Sequence, residues 1–176
     1  MGNVTTLAID LAKSVFQLHG VDDFGRVLLC KQVRRAQLLE VVAQLPPCVI
    51  GMEACASAHH WGRQFERLGH AVRLMSPQFV KPYVKSQKND RADAGAICEA
   101  VRRPTMRFVP LKSLEQQDLQ SAHRIRAGLI SERTALINRI RGLLGEYGVV
   151  IARYPAAVQR ELPQVLEEAQ SELTVV

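Results

Sequence analysis

Aromatic residues are scarce in this sequence, 5% of the chain with a single tryptophan. Long apolar stretches are missing too. None approaches the roughly 20 residues that span a bilayer, and the first residues lack the basic-then-apolar pattern of a secretory signal. The four cysteines, Cys30, Cys48, Cys55 and Cys98, include no Cys-x-x-Cys pair, so buried free thiols are the ordinary reading. A zinc site from Cys55, His59, His60 and Cys98 is disfavoured because the adjacent histidines point differently on a helix. No membrane association is expected, and the chain reads as cytoplasmic. What is present is a chain of 176 residues, 47% of them hydrophobic, enough to bury a core. The formal net charge of +6 and a pI near 9.5 favour a polyanionic partner, nucleic acid rather than a membrane surface.

The chain opens with a short β-branched apolar run, Val4 to Ile9, that fits a buried strand ending on Asp10. Val15 to Val21 and Val27 to Cys30 flank the turn signal Asp22-Asp23-Phe24-Gly25, which makes a hairpin. These three segments predict an antiparallel meander. Lys13 lies in the first connection, beside Asp10. From about Arg35, Leu38, Leu39, Val41, Val42 and Leu45 carry helical spacing until Pro46-Pro47 stop it. Cys48 to Met52 is a further buried strand, with Glu53 next. Trp61, Phe65 and Leu68 mark a second helix closed by Gly69, and Ala71 to Met75 a fifth strand ended by Ser76-Pro77. Helix and strand alternate from Arg35 onward, which implies right-handed crossovers and a parallel portion attached to the meander. The fold class is α/β, a mixed sheet flanked by helices.

Four acids stand out. Lys88-Asn89-Asp90-Arg91-Ala92-Asp93 opens a helix running to about Val101, and its two carboxylates lie three positions apart, on one helix face. An N-cap at Asn89 or Asp90, with Asp93 favoured by the helix dipole, is the ordinary reading of such a segment. The first strand and the one preceding Glu53 can lie side by side and parallel. Their carboxyl ends then share the crevice where open α/β sheets place their chemistry. Asp10 and Glu53 would sit there, with Asp90 and Asp93 packed across the end. Four carboxylates so close repel one another. Two divalent cations, Mg²⁺ or Mn²⁺, relieve that repulsion, and a pair about 4 Å apart clamps the attacking and leaving oxygens of phosphoryl transfer. A basic fringe of Lys81, Lys85, Lys88 and Arg91 suits a site that handles phosphate.

Ala8-Ile9-Asp10-Leu11-Ala12-Lys13, Gly51-Met52-Glu53-Ala54-Cys55 and, above all, Lys88-Asn89-Asp90-Arg91-Ala92-Asp93-Ala94 resemble the amino-terminal domain of the insertion-sequence one-ten transposases. Ser76-Pro77 and the Lys81-to-Lys85 segment resemble that family as well. The resemblance covers roughly Val4 to Ile151. It implies a RuvC-like, ribonuclease-H fold whose catalytic and metal-binding acids are Asp10, Glu53, Asp90 and Asp93. It also implies recombination of DNA guided by a structured bridge RNA. Family proteins continue into a second domain with a serine that attacks DNA. Ser57, Ser86 and Ser131 do not match that motif, so this chain is expected to bind metal and nucleic acid without completing strand exchange. A RuvC-type junction-resolving nuclease and a non-catalytic RNA-binding and dimerisation module are the alternative readings.

A long helix is predicted from about Ser113 to Leu144. Ala122, Leu129, Leu136 and Leu143 recur every seven residues, Ile125 and Ile140 fill alternate slots, and Ile130, Ile137 and Leu144 widen the stripe. Such a seam suits a coiled coil with a second copy, a dimer, although Glu132 and Arg133 interrupt it; packing within the chain is the alternative. Arg124, Arg126, Arg133, Arg139 and Arg141 make the helix basic, either as a solvated face or as the lining of an RNA or DNA duplex. Gly145 and Gly148 should end it, with Pro155 and Pro163 each opening a short helix. The expected domains are a catalytic one over residues 1–110 and a helical dimerisation region over 111–176.

Overall fold

The computed structural model of the chain describes residues 3–84 and 90–168, without the side chains of Asp90, Arg91 and Glu168. It divides into two compact units, Met1–Lys112 and Ser113–Val176. The first holds strands β1 (Thr6–Asp10), β2 (Val15–Val21) and β3 (Val27–Arg34), helix α1 (Leu38–Ala43), β4 (Val49–Glu53), α2 (Ala58–Arg67), β5 (Ala71–Met75), a short α3 (Pro77–Val80), α4 (Asp90–Val101) and β6 (Phe108–Val109). The six strands form one sheet in the order β3-β2-β1-β4-β5-β6. The β1–β2 and β2–β3 pairs are antiparallel, β1–β4 and β4–β5 parallel, and β6 returns antiparallel on β5. The mixed sheet expected from the sequence is therefore present.

Strand alternation divides the core into two layers. Leu7, Ile9, Phe16, Leu18, Ile50, Met52 and Leu74 project to one face, where Leu38 and Val42 of α1 and Trp61 and Phe65 of α2 cover them. Burying each of the larger side chains contributes about 1.5–3 kcal/mol. Ala8, Val21 and Met75 project to the other face and meet Val80 with Ala96, Ile97, Ala100 and Val101 of α4. Small residues set that second contact. Ala8 pairs with Gly51 across β1 and β4, and a methyl built on Gly51 would stand 2.9 Å from the Val101 Cβ. The helix therefore lies as close to the sheet as the absence of a side chain at Gly51 allows.

Several elements differ from the sequence expectation. β3 runs on to Arg34 because Lys31 to Arg34 continue the ladder with β2, and Val33, paired with Phe16, is buried. The helix expected from Arg35 begins as a 3-10 turn over Arg35–Gln37. Glu53 is the last residue of its strand rather than the one after it. Phe108 and Val109 pair with Met75 and Leu74 as a two-residue strand. Gly69, at φ 89°, closes α2 as expected.

In the second unit, α5 (Leu114–Glu146) starts at a capping box. The Ser113 hydroxyl accepts from the Gln116 amide at 3.1 Å, and the Gln116 side chain accepts from the Ser113 amide. The helix passes through Gly145 and ends at Glu146, with Gly148 at φ 75° closing the turn that follows. Pro155–Glu168 is a single helix, α6, with Pro163 inside it. Pro163 removes one backbone bond, but Ala157, Val158, Leu162 and Val165 form a common apolar stripe against Leu144, Ile137, Ile140 and Ile151 that spans the break. Among the described residues no helix is long and apolar enough to cross a membrane.

Candidate active site

Each acid of the site is positioned by the alternation that builds the core. Asp10 ends β1 two residues after Ala8, and Glu53 ends β4 two residues after Gly51. Both therefore share the α4 face of the sheet, at the carboxyl ends of neighbouring parallel strands. Asp93 comes from the first turn of α4. Asp10, Glu53 and Asp93 line one cavity of about 770 Å³ together with Pro77, Gln78, Lys81 and Val84. All three acids are half-buried, while Lys81 is exposed. Residues forty or more positions apart at each step are thus brought together.

The link after Glu53 is fixed. The Ala54 amide donates to the Met75 carbonyl at 2.7 Å and the Cys55 amide to the Glu53 carbonyl at 2.8 Å. Ser57 takes a left-handed backbone, φ 69°, the one non-glycine residue among those described to do so. The field of the acids reaches the neighbouring thiol. Burial first and then the Glu53 carboxylate push Cys55 above its ordinary value; a backbone hydrogen bond opposes them, and Asp10 adds a smaller upward push. Two strand-end carboxylates acting on one thiol place a shared negative potential at the mouth of β1 and β4.

The remaining site expectations separate into those inside and outside the description. Lys85 and Lys88, and the side chains of Asp90 and Arg91, lie outside the described residues. Lys13 is exposed in the β1–β2 turn and does not line the cavity. Of the residues that do, Pro77 belongs to the Ser76-Pro77 turn and Val84 to the Lys81-to-Lys85 segment marked in the sequence, while Gln78 between them carries no sequence signal of its own.

Hard carboxylate oxygens are the donor chemistry of Mg²⁺ or Mn²⁺, and Asp10, Glu53 and Asp93 supply them to one cavity. Among the described residues no three His, Cys, Asp or Glu side chains are gathered tightly enough to hold an ion unaided. The zinc alternative fails outright. Both His59 ring nitrogens face Lys112, Nδ1 at 3.2 Å from its amide and Nε2 at 3.3 Å from Nζ. Cys98 is buried, its thiol pushed up to about 11.

On α5, Arg124, Arg126, Arg133 and Arg139 are exposed. Arg141 is half-buried, and its Nε donates to the Ile151 carbonyl at 2.9 Å, which ties α5 to the segment before α6. Ile137, Ile140 and Leu144 are taken up by α6. Ala122, Ile125, Leu129 and Ile130 instead line an open groove with Arg126 and Arg133.

A mixed sheet that carries acids at adjacent parallel strand ends, with a third on a covering helix, is the arrangement expected from the sequence. A family model described as transposase, the DEDD type of insertion sequence IS110, matches residues 7–149. The chain belongs to this transposase family. It is 56% identical over 151 residues to a probable family 20 transposase of Pseudomonas aeruginosa, covering 86% of this chain and 45% of that protein. It is 50% identical over 174 residues to the transposase for insertion sequence element IS1111A of Coxiella burnetii, covering 99% and 48%. It is 45% identical over 168 residues to the transposase for IS1328 of Yersinia enterocolitica, covering 96% and 50%. The chain spans about half the length of these curated relatives. Among solved structures, T. thermophilus RuvC in complex with Holliday junction substrate aligns at 15% identity and a TM-score of 0.43, covering 61% of this chain and 100% of that one.

Proposed function

We propose that the chain is the acid-bearing part of a DNA transposase, and that Asp10, Glu53, Asp90 and Asp93 hold divalent metal, Mg²⁺ or Mn²⁺ and two ions in the working complex, against a DNA phosphate. The observation that carries this reading is the single cavity lined by Asp10, Glu53 and Asp93. When bound, such ions supply positive charge at the oxygens that gain negative charge in phosphoryl transfer. The chain's own groups hold the acids at fixed strand ends, where parallel pairing of β1 with β4 sets their spacing. Lys81 at the rim offers a cation to a neighbouring phosphate. The wide spacing of the described acids is consistent with a coordination sphere completed by Asp90 and by the phosphate itself.

The strand-exchange nucleophile belongs, on this reading, to the part of the longer relatives that this chain does not span, and a structured guide RNA directs the reaction. The exposed arginines of α5, Arg124, Arg126, Arg133 and Arg139, line a nucleic-acid duplex. The groove with Ala122, Ile125 and Leu129 seats a second copy of the helix, giving a dimer. Titration of the chain with Mn²⁺, followed by the ion's paramagnetic signal, tests the central claim. Asp10→Asn and Glu53→Gln should each weaken uptake at least tenfold with the fold unchanged. Equal uptake by wild type and both variants would remove the basis for the proposal.

A further inference from the structure

The most exposed aromatic side chain in the sheet unit sits on its most firmly built turn. Phe24 is 82% exposed at the tip of the β2–β3 hairpin. Beneath it, the buried Asp22 carboxylate accepts from the Phe24 amide at 3.0 Å and from the Arg26 amide and Nε at 2.9 and 2.8 Å. Burial pushes that carboxyl up, but the bonds from Arg26 and Phe24 outweigh it and hold the group below its ordinary value. The Arg26 guanidinium lies over the Phe24 ring, 5.1 Å from its centre. From the end of α4, Arg102 Nη2 donates to the Asp23 carbonyl at 2.9 Å. Its Nη1 fills the space beside Gly25, whose φ of 80° closes the turn. A loop that serves only to connect two strands has no use for this bracing, nor for a phenyl ring turned out to water.

Beside the tip is a cleft of about 310 Å³ lined by Glu99, Arg102, Arg103 and Pro104. Arg103 pairs with Glu99 and stacks on Tyr83 at 5.8 Å. The acids around the tip, Asp22, Asp23 and Glu99, offset its arginines, so bulk attraction for a polyanion is not what distinguishes this place. Its distinguishing feature is an exposed apolar ring beside guanidinium groups. That is the pairing which takes a nucleobase by its face and the attached phosphate by its oxygens.

We propose that the β2–β3 tip and the cleft at the end of α4 form a seat for one unpaired nucleotide, its base stacked on Phe24 and its phosphate against Arg102 and Arg103. The seat is separate from the acid cavity. It adjoins the opposite ends of both β1 and α4; the four residue steps of β1 span about 13 Å and the eight from Asp93 to the end of α4 about 12 Å. A single strand held at the acids therefore reaches the tip within a few nucleotides. This inference rests on nucleic acid being the partner of the chain, and the experiment separates the two claims.

Fluorescein-labelled oligothymidine of about twelve nucleotides, the matching oligouridine and a blunt DNA duplex of that length are titrated with wild type, Phe24→Ala and Phe24→Trp, at low and at high salt. Phe24→Ala should weaken single-strand binding by between about fivefold and about a hundredfold and leave the duplex unaffected. The loss should be the same factor at both salt concentrations, because stacking is not screened. Phe24→Trp should restore binding, with its added indole quenched by the bound base. A comparison of the thymidine and uridine arms assigns the seat to DNA or to RNA. Wild type that binds none of the three probes would defeat both claims. Wild-type binding that Phe24→Ala leaves intact, or weakens equally for duplex and single strand, would defeat the seat alone.

Discussion

Placing a methyl group on Gly51 tests the packing that sets α4, and with it Asp93, against the strand ends. The Cβ of Gly51→Ala would lie 2.9 Å from the Val101 Cβ and 3.1 Å from both its methyl carbons. The first is closer than real contacts allow and the other two are tighter than most, and the neighbour is a β-branched residue on a helix with little freedom to rotate away. Overpacking of this kind costs about 1–3 kcal/mol. The φ of Gly51 is not positive, so alanine is tolerated by the backbone and recovers about 0.4–1 kcal/mol by restricting the unfolded chain. The net expectation is a loss of about 1–2 kcal/mol.

Val101→Ala alone should cost about 1–3 kcal/mol by leaving a void. In the double variant the new methyl occupies part of that void, so the two costs should fall short of their sum by at least about 1 kcal/mol. The assay is urea unfolding read by tryptophan fluorescence. Trp61, the single tryptophan of the chain, is 4% exposed in the core of the sheet unit and reports on that unit. With a slope of about 1–3 kcal/mol per molar urea, the Gly51→Ala midpoint should fall by about 0.5–1 M. An unchanged or raised midpoint, or a strictly additive cycle, would refute the claim that α4 is seated by the missing side chain at Gly51.

Three further outcomes are expected. Ser113→Ala removes one half of the capping box and should cost about 1 kcal/mol of α5 stability, visible as an earlier loss of helical circular dichroism on heating; an identical melt would mean the cap is idle. His59 and His70 are both held below the ordinary value of 6.5, chiefly by burial, with Lys112 and Arg63 adding to the effect at His59 and a backbone bond to Val42 opposing it at His70. Below 6.5 the unfolded chain takes up protons that the folded one does not. Stability contributed by the neutral rings is therefore complete above about 6.5 and lost as the pH falls through it, so urea midpoints should drop between about pH 7.5 and 5.5; midpoints that are flat or rise over this range would contradict the assignment. Leu129 and Leu136, 61% and 53% exposed on α5, should both be needed for self-association. Changing them to Glu should yield a monomer in sedimentation without altering the fluorescence of Trp61, and a wild type that sediments as a monomer throughout would dispose of the helix-to-helix dimer.

What the sequence discloses about this fold follows from which forces act locally. β1, β2, β4 and β5 were legible because buried strands must be apolar on two faces. Gly69 and Ser113 were legible because a helix end needs a left-handed residue or a side-chain acceptor. The extension of β3 through Lys31 and Gln32 was not. An edge strand with only Val33 buried has a polar pattern indistinguishable from a loop until β2 is there to pair with it. β6 has the same cause in smaller form, two residues made strand only by Met75 and Leu74. The persistence of α6 across Pro163 depends on a stripe of contacts with α5, and a rule about proline alone predicts a break there. The heptad seam of α5 was read correctly as apolar but not as divided, since only the fold shows α6 claiming Ile137, Ile140 and Leu144 while Leu129 and Leu136 stay open.

The acids behave differently from these elements, and the reason is geometric. A strand that is apolar to its last position and then carries an acid has only the sheet's end in which to place it. Parallel neighbours put their ends on the same side, and alternation from Ala8 and Gly51 decides the face. Asp10 and Glu53 are thereby located by sequence rules of period two together with one topological rule. Asp93 needs one more fact, the approach of α4, and that approach is encoded in residues with almost no side chain: Ala8 and Gly51 below, Ala96 and Ala100 above. The acids of the cavity and the small residues are thus two halves of one constraint. A substitution that enlarges the small residues should disturb the acid cavity even though it leaves every carboxylate in place.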